Sequence, residues 1–212
     1  MYAALQIFTS MSILPQSFFS RPTLTVARDL LGQRLVRDLD GQRLSGIIVE
    51  TEAYIGPDDT ASHASRGRTA RTAVMFGPAG QSYVYFVYGM HYMLNVVTEM
   101  VDFPAAVLIR ALEPVEGMTA MEARRRSGRR VLKPEQLTNG PAKLCQALGI
   151  DRGLNNISLT TGKELWIEPV ALLPPELIRT GPRVGIDYAN HADRLVPWRF
   201  WLKHNRFVSR AA

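Results

Sequence analysis

The sequence predicts a single α+β domain, and three observations carry that prediction. Its 212 residues, 46% of them hydrophobic, are enough to bury one core without staples. Strand-like stretches rich in β-branched and aromatic residues come in pairs joined by turn residues. Separate stretches place apolar residues at helical spacing, with proline near their starts or glycine at their ends. No internal repeat, low-complexity tract or linker divides the chain.

The first twenty residues carry no charge and read as a mobile N-terminal tail (1–20), with the domain spanning 21–212 and Met11 as an alternative start. They lack the basic n-region and small-residue cleavage site of a secretory signal, and Pro15 and Gln16 interrupt the apolar run. No run approaches the roughly 18 apolar residues of a membrane span, so no membrane partner is expected.

From Thr23, "TLTVARDLLG" spaces Leu24, Ala27, Leu30 and Leu31 as a helix ending at a glycine. "QRLVRDLDGQRLSGIIVETEAY" reads as two strands joined at Asp40-Gly41, a strong hairpin signal. Residues 55 to 80, rich in Gly, Pro, Asp, Ser and Arg, form a long loop region with room for a short helix. Loops of that length are usually functional or disordered. "SYVYFVYGMHYMLNVVT" is a second hairpin turning near Gly89-Met90, and "AAVLIRAL" is a buried strand. Pro114, taken as a first helical position, opens "PVEGMTAMEARRR". "NGPAKLCQALG" is a compact helix from Pro141 to Gly149, and the remainder reads as further strands and loops.

The net charge is +6, and arginine far outnumbers lysine, which occurs only at Lys133, Lys143, Lys163 and Lys203. The planar fork of arginine suits phosphate, which makes nucleic acid the leading class of partner. Arg66, Arg68 and Arg71 follow the acidic loop, "RRRSGRR" lies further on, and Lys143 sits in the first turn of a helix whose N-terminus favours anions. The same run also fits a solvated basic face. The single cysteine, Cys145, excludes an intrachain disulfide and sits among apolar residues, in keeping with a reducing cytoplasm or nucleus.

Several chemistries are excluded. His63, His91, His191 and His204 show no metal-ligand spacing, so no metal is expected. No glycine-rich phosphate loop is present, hence no nucleotide cofactor and no cofactor of any other kind is expected. No serine stands in a G-x-S-x-G elbow. No lysine falls between Ile47 and Leu112, which argues against Schiff-base chemistry there. Carboxylate chemistry on water remains.

The stretch "IVETEAYIGPDDTASHASRG" concentrates the candidates. Glu50, Glu52 and Tyr54 share one strand face, followed by His63, and a second aromatic cluster stands at Tyr83, Tyr85 and Tyr88. On pattern alone such acids are more often a solvated strand face and such tyrosines sheet packing, and the pattern does not say which glutamate would act. With the aromatics beside it, the arrangement also suits a pocket that sandwiches a planar ring. Tyr88-Gly89-Met90-His91 reads as an ordinary turn or as an exposed wedge for a nucleic-acid groove. Arg110 ends an apolar strand and calls for a carboxylate partner, structural or catalytic.

"VETEAYIGPDDTASH", "YVYFVYGM", "LNVV", "VLIRALEP" and "NGPAKLCQALGI", in this order and spacing, resemble the alkyladenine (3-methyladenine) DNA glycosylase family from about Leu24 to Lys203. The resemblance implies a curved, mostly antiparallel sheet with a protruding β-hairpin and surrounding helices. It makes Glu52 the general base and Arg110 the group that helps hold the attacking water. Tyr54, His63 and Tyr85 would grip an extruded base, Tyr88 would fill the gap in the duplex, and Asn95 would reject the exocyclic amine of normal guanine. Gly89, Met90 and His91 would touch DNA at the hairpin tip, where the family more often has a tyrosine in place of His91.

The implied partner is double-stranded DNA containing damaged purines, such as 3-methyladenine, hypoxanthine or ethenoadenine. The implied activity is monofunctional hydrolysis of the N-glycosidic bond by a monomer in the cytoplasm, without lyase chemistry. A non-catalytic lesion-binding protein and an RNA-directed protein using the same pocket are the alternatives.

Overall fold

The computed structural model describes residues 12–126 and 131–209. Among them, five α helices surround one sheet of eight strands, every pairing of which is antiparallel. This agrees with the expected α+β class. The helices are α1 (Gln16–Phe19), α2 (Thr23–Asp29), α3 (Met118–Arg125), α4 (Pro141–Leu148) and α5 (His191–Leu195). The strands are β1 (Arg34–Leu39), β2 (Gln42–Ile55), β3 (Ser82–Val87), β4 (His91–Val97), β5 (Ala105–Glu116), β6 (Leu165–Glu168), β7 (Ile178–Gly181) and β8 (Arg199–Leu202).

Strand β2 is the spine. One edge pairs with β5 along most of its length, while the other pairs first with β1 and then with β8 at Glu50–Glu52. The β1–β2 turn uses Asp40 (φ 54°) and Gly41 (φ 80°), the left-handed pair that matches strand twist in a two-residue hairpin. Helices α2 and α4 cover one face of the sheet. There Val26, Ala27, Leu144 and Leu148 meet Ile48, Ala53, Leu94, Val107, Ile109 and Leu112 in the main core. The opposite face is covered by loops and short helical turns, residues 56–81 and 182–198 with α5, and that face carries the site.

Two bulges decide which side chains reach that second face. The β2–β5 register slips between Ile48 and Glu50 and again between Glu50 and Thr51, where Arg110 is the extra residue on β5. Val49 therefore packs with Ala111 and Phe207, and its neighbour Glu50 meets Ser209 on the same side, whereas Thr51 donates to the Ala27 carbonyl in the core. A bulge of this kind re-aims side chains without breaking the sheet.

Two expectations are corrected. Pro114 opens no helix; it pairs with Gly46 as part of β5, beside a register shift that leaves Val115 as the extra residue. Proline has no N–H to give a ladder, and a bulge is where a sheet accommodates it. Helix α3 starts at Met118 instead, after Gly117 turns the chain at φ 76°. Of the expected tail at 1–20, residues 1–11 lie outside the described residues, but 12–20 differ from a tail. Leu14 and Phe19 are buried in the core, and the Phe19 carbonyl accepts from the Glu99 N–H. Residues 127–130 of the basic run also lie outside the described residues.

Candidate active site

The second sheet face brings together residues far apart in the chain. Glu52 is completely buried and accepts three hydrogen bonds: the Val184 N–H reaches Oε1 at 2.7 Å, while the Tyr54 hydroxyl (2.9 Å) and Arg110 Nη1 (3.1 Å) reach Oε2. Burial pushes the Glu52 carboxyl above the usual glutamate range, and nearby Glu50 adds to that. Arg110, the Val184 N–H and the Tyr54 hydroxyl pull the other way without overcoming it. Burial works against the Arg110 cation too, but Glu52 and Glu50 hold its pKa above the ordinary value.

Glu50 is different in kind. Arg110 Nε (2.8 Å), Arg199 Nε (2.7 Å) and the Ser209 hydroxyl (2.8 Å) all donate to Oε1, and the Ser209 N–H (2.7 Å) donates to Oε2. Its carboxylate is consumed in holding two buried arginines and the C-terminal segment. The period-two pattern placed both glutamates on one face without distinguishing them; their partners do. Glu50 is tied off, while Glu52 reaches toward the pocket through Tyr54.

A pocket open to solvent is lined by Tyr54, His63, Tyr83, Tyr85 and Tyr188, together with Met75, Ala106 and Asn95. Strands β3 and β4 supply Tyr83, Tyr85 and Asn95, and the Asn95 amide is oriented by donating to the Tyr83 carbonyl (3.0 Å). His63 opens a short 3-10 turn (His63–Arg66) capped by the Ser62 hydroxyl, and its ring meets Tyr85 edge-on at 4.5 Å. Its Nδ1 lies 2.9 Å from the Tyr83 hydroxyl, and Arg71 Nη2 lies 3.4 Å from Nε2. Arginine only donates, so Nε2 is the acceptor and Nδ1 carries the proton toward Tyr83. Burial first, then Arg71 and Arg66, hold the imidazole down to about 4, which keeps it neutral at physiological pH. Burial likewise pushes the Tyr54 and Tyr85 hydroxyls up, so both remain protonated.

Behind Tyr54 stands a group that sequence reasoning missed. Arg183 stacks between the rings of Tyr54 (4.8 Å) and Trp198 (5.0 Å) and grips Asp59 with two hydrogen bonds of 2.6 and 2.8 Å. Both side chains of this ion pair are fully buried. The pair pins residue 183, so the next residue, Val184, presents its N–H to Glu52. Asp59 and Arg183 lie 124 positions apart, and neither "GPDDTASH" nor "GPRVGI" advertises the other. Tyr188, whose hydroxyl donates to the Ala61 carbonyl, was equally invisible.

The structure therefore gathers Tyr54, His63, Tyr85 and Asn95 around one cavity. Glu52 and Arg110 sit behind that wall, linked to it by the Tyr54 hydroxyl. At the β3–β4 tip, Tyr88 is 76% and Met90 68% exposed. Tyr88 and Gly89 both adopt left-handed backbone (φ 53° and 68°), with His91 starting β4. A groove runs between this hairpin and α4, bounded by Met90, His91 and Ala142, next to Lys143, whose ammonium reaches Asn139. Arg66 is exposed and borders the hollow outside His63 with Arg71; Arg68 is exposed and pairs with Asp102 (3.3 Å). Cys145 is buried against the core, and burial pushes its thiol up. Among the described residues, no three His, Cys, Asp or Glu side chains cluster as a metal ion would require.

Comparison with known proteins covers most of the chain. A family model described as methylpurine-DNA glycosylase matches residues 17–206. A Methanocella arvoryzae protein is 50% identical over 202 residues, covering 95% of this chain and 98% of its own. Relatives from Myxococcus xanthus (48%, covering 94% and 95%) and Bacillus cereus (48%, covering 92% and 98%) are similar over the same span. All three carry the printed name "Putative 3-methyladenine DNA glycosylase". With a model match across most of the chain and relatives of this identity along nearly its full length, the chain belongs to the methylpurine-DNA glycosylase family of DNA glycosylases.

Proposed function

We propose that this chain is a monofunctional glycosylase that flips damaged purines, 3-methyladenine and hypoxanthine among them, out of duplex DNA and hydrolyses their N-glycosidic bond. The observation that carries this reading is a buried carboxylate, Glu52, joined by the Tyr54 hydroxyl to a pocket lined with aromatic side chains. Extruding a base costs about a few kcal/mol, and stacking on an aromatic returns roughly 1–3 kcal/mol per base. Tyr54, His63 and Tyr85 around the base, with Tyr88 in the vacated stack, are of the right size to offset the flip. A lesion that pairs poorly costs less to extrude, which favours damaged over normal bases.

Glu52 acts as general base on water, and its charge stabilises the oxocarbenium-like sugar of the transition state. Arg110 keeps Glu52 oriented and shares in holding the water. A base held above the usual glutamate range is a stronger proton acceptor than a solvent-exposed glutamate. A cationic 3-methyladenine leaves unaided, and the neutral His63 serves as a stacking wall, not an acid. Asn95 in the pocket lining is the group that would exclude guanine through its exocyclic amine. Arg66, Arg68, Lys143 and the tip residues Gly89, Met90 and His91 engage the duplex, with phosphate contacts setting register. The enzyme works as a monomer in the cytoplasm, without metal or cofactor.

The test uses duplexes bearing one hypoxanthine or 3-methyladenine, incubated with wild type and Glu52→Gln without metal, and read with and without alkali. The reading expects base release by wild type only and strand cuts only after alkali. Tight lesion binding without release by either protein would move the assignment to a non-catalytic lesion binder. Cuts without alkali would overturn the monofunctional reading.

A further inference from the structure

Arg71 stands outside the cavity yet touches three of its walls, Tyr83 among them through a side-chain hydrogen bond. Its Nη2 lies 3.4 Å from His63 Nε2, and its guanidinium carbon lies 5.1 Å from the centre of the Tyr85 ring. The side chain is exposed, borders the hollows on both sides of the His63–Tyr85 wall, and has no carboxylate partner among the described residues. Such a placement does three things to whatever fills the pocket. The cation repels a positively charged ring. It draws on the negative face of Tyr85, weakening that face as a partner for a cation. It also occupies the lone pair of His63 Nε2, so the imidazole offers no acceptor there to a protonated base. A neutral purine with a carbonyl oxygen suffers none of these penalties and gains from the positive wall. The other charges near the wall are Arg66, which acts in the same sense, and Glu52 behind Tyr54, which acts in the opposite sense.

The geometry points to Arg71 as a specificity-determining residue of the base pocket, one that shifts preference from cationic alkylpurines toward neutral, carbonyl-bearing purines. The inference rests on the glycosylase reading above and deepens it. Because Arg71 is exposed, its replacement leaves no buried carboxylate without a partner, and the variant folds.

The test compares wild type, Arg71→Gln and Arg71→Lys on two duplexes, one with 3-methyladenine (cationic) and one with hypoxanthine (neutral). The measured quantity is the ratio of kcat/KM, cationic over neutral. Arg71→Gln raises that ratio roughly three- to fivefold, the reach of one exposed charge, whereas Arg71→Lys, which keeps the charge, stays within about twofold of wild type. A second readout is the His63 titration followed by nitrogen-15 NMR, which moves upward in Arg71→Gln. An unchanged ratio overturns the inference. If the salt slope of duplex binding also falls by about one, Arg71 is a phosphate contact instead. Release of neither base by wild type overturns the glycosylase reading, and this inference with it; an unchanged ratio overturns this inference alone.

Discussion

Glu50 and Glu52 lie two residues apart on one strand, and replacing each by glutamine should have contrasting effects on stability. Glu50→Gln removes the negative charge that four donors share, from Arg110, Arg199 and both the N–H and hydroxyl of Ser209. Arg110 and Arg199 are only 6% and 7% exposed, so neither can recover its hydration in the folded state. Removing one partner of such a buried pair costs roughly 3–5 kcal/mol. At about 2–4 °C per kcal/mol for a domain of this size, the Tm falls by roughly 6–20 °C. Glu52→Gln should cost less. Arg110 keeps its bond to Glu50, and an amide oxygen at the Oε2 position still accepts from Arg110 and Tyr54, so the main loss is a Val184 N–H left facing the NH2 group, about 1–3 kcal/mol. Urea unfolding of both variants and wild type at one pH makes the comparison. A Glu50→Gln variant within about 1 kcal/mol of wild type, or one more stable than Glu52→Gln, would refute the assignment of Glu50 as the structural member of the pair.

Three further outcomes are expected. Tyr88 holds a left-handed backbone (φ 53°) at an exposed tip. Tyr88→Gly should therefore stabilise the fold by about 0.5–1 kcal/mol in thermal unfolding while weakening binding to a lesion duplex roughly tenfold or more in a fluorescence titration. His63 binds its proton near 4 when folded and near 6.5 when unfolded, so between those values the unfolded chain holds more protons. The His63 contribution is complete above pH 6.5 and is lost as pH falls through about 4; urea midpoints across that window should slope less steeply for His63→Gln than for wild type. Gly117→Ala would set a methyl 2.3 Å from Leu44 Cδ2 and 3.0 Å from the Arg43 carbonyl, at φ 76°. A loss of at least about 2 kcal/mol in chemical unfolding is expected.

What the sequence made legible was local. Asp40-Gly41 announced a hairpin because few other residues accept two successive left-handed positions, and Pro141 and Gly149 bounded α4 because their backbone preferences suit opposite helix ends. The face shared by Glu52 and Tyr54 followed from the period of a strand. Pro114 misled because a proline after an apolar run fits a helix start as well as a bulged strand, and only pairing with Gly46 decides. The supporting shell was hidden for a different reason. Asp59 meets Arg183, and Glu50 meets Arg199 and Ser209, across separations that leave no periodic trace. Arginine is so common in this chain that the buried few cannot be told from the solvated many. The motifs named the groups around the cavity; the groups that hold them in place come from tertiary contact alone.

The same long-range closure orders events at birth. Glu50 waits for Arg199, 149 residues downstream, and for Ser209, 159 residues downstream. At ribosomal speeds of about 5–20 residues per second, that is roughly 7–30 s during which β2 has left the exit tunnel with its charged half unsealed. Throughout that interval β2 stands without the segment that seals Glu50, so the surroundings of Glu52 are completed only when Arg199 and Ser209 emerge.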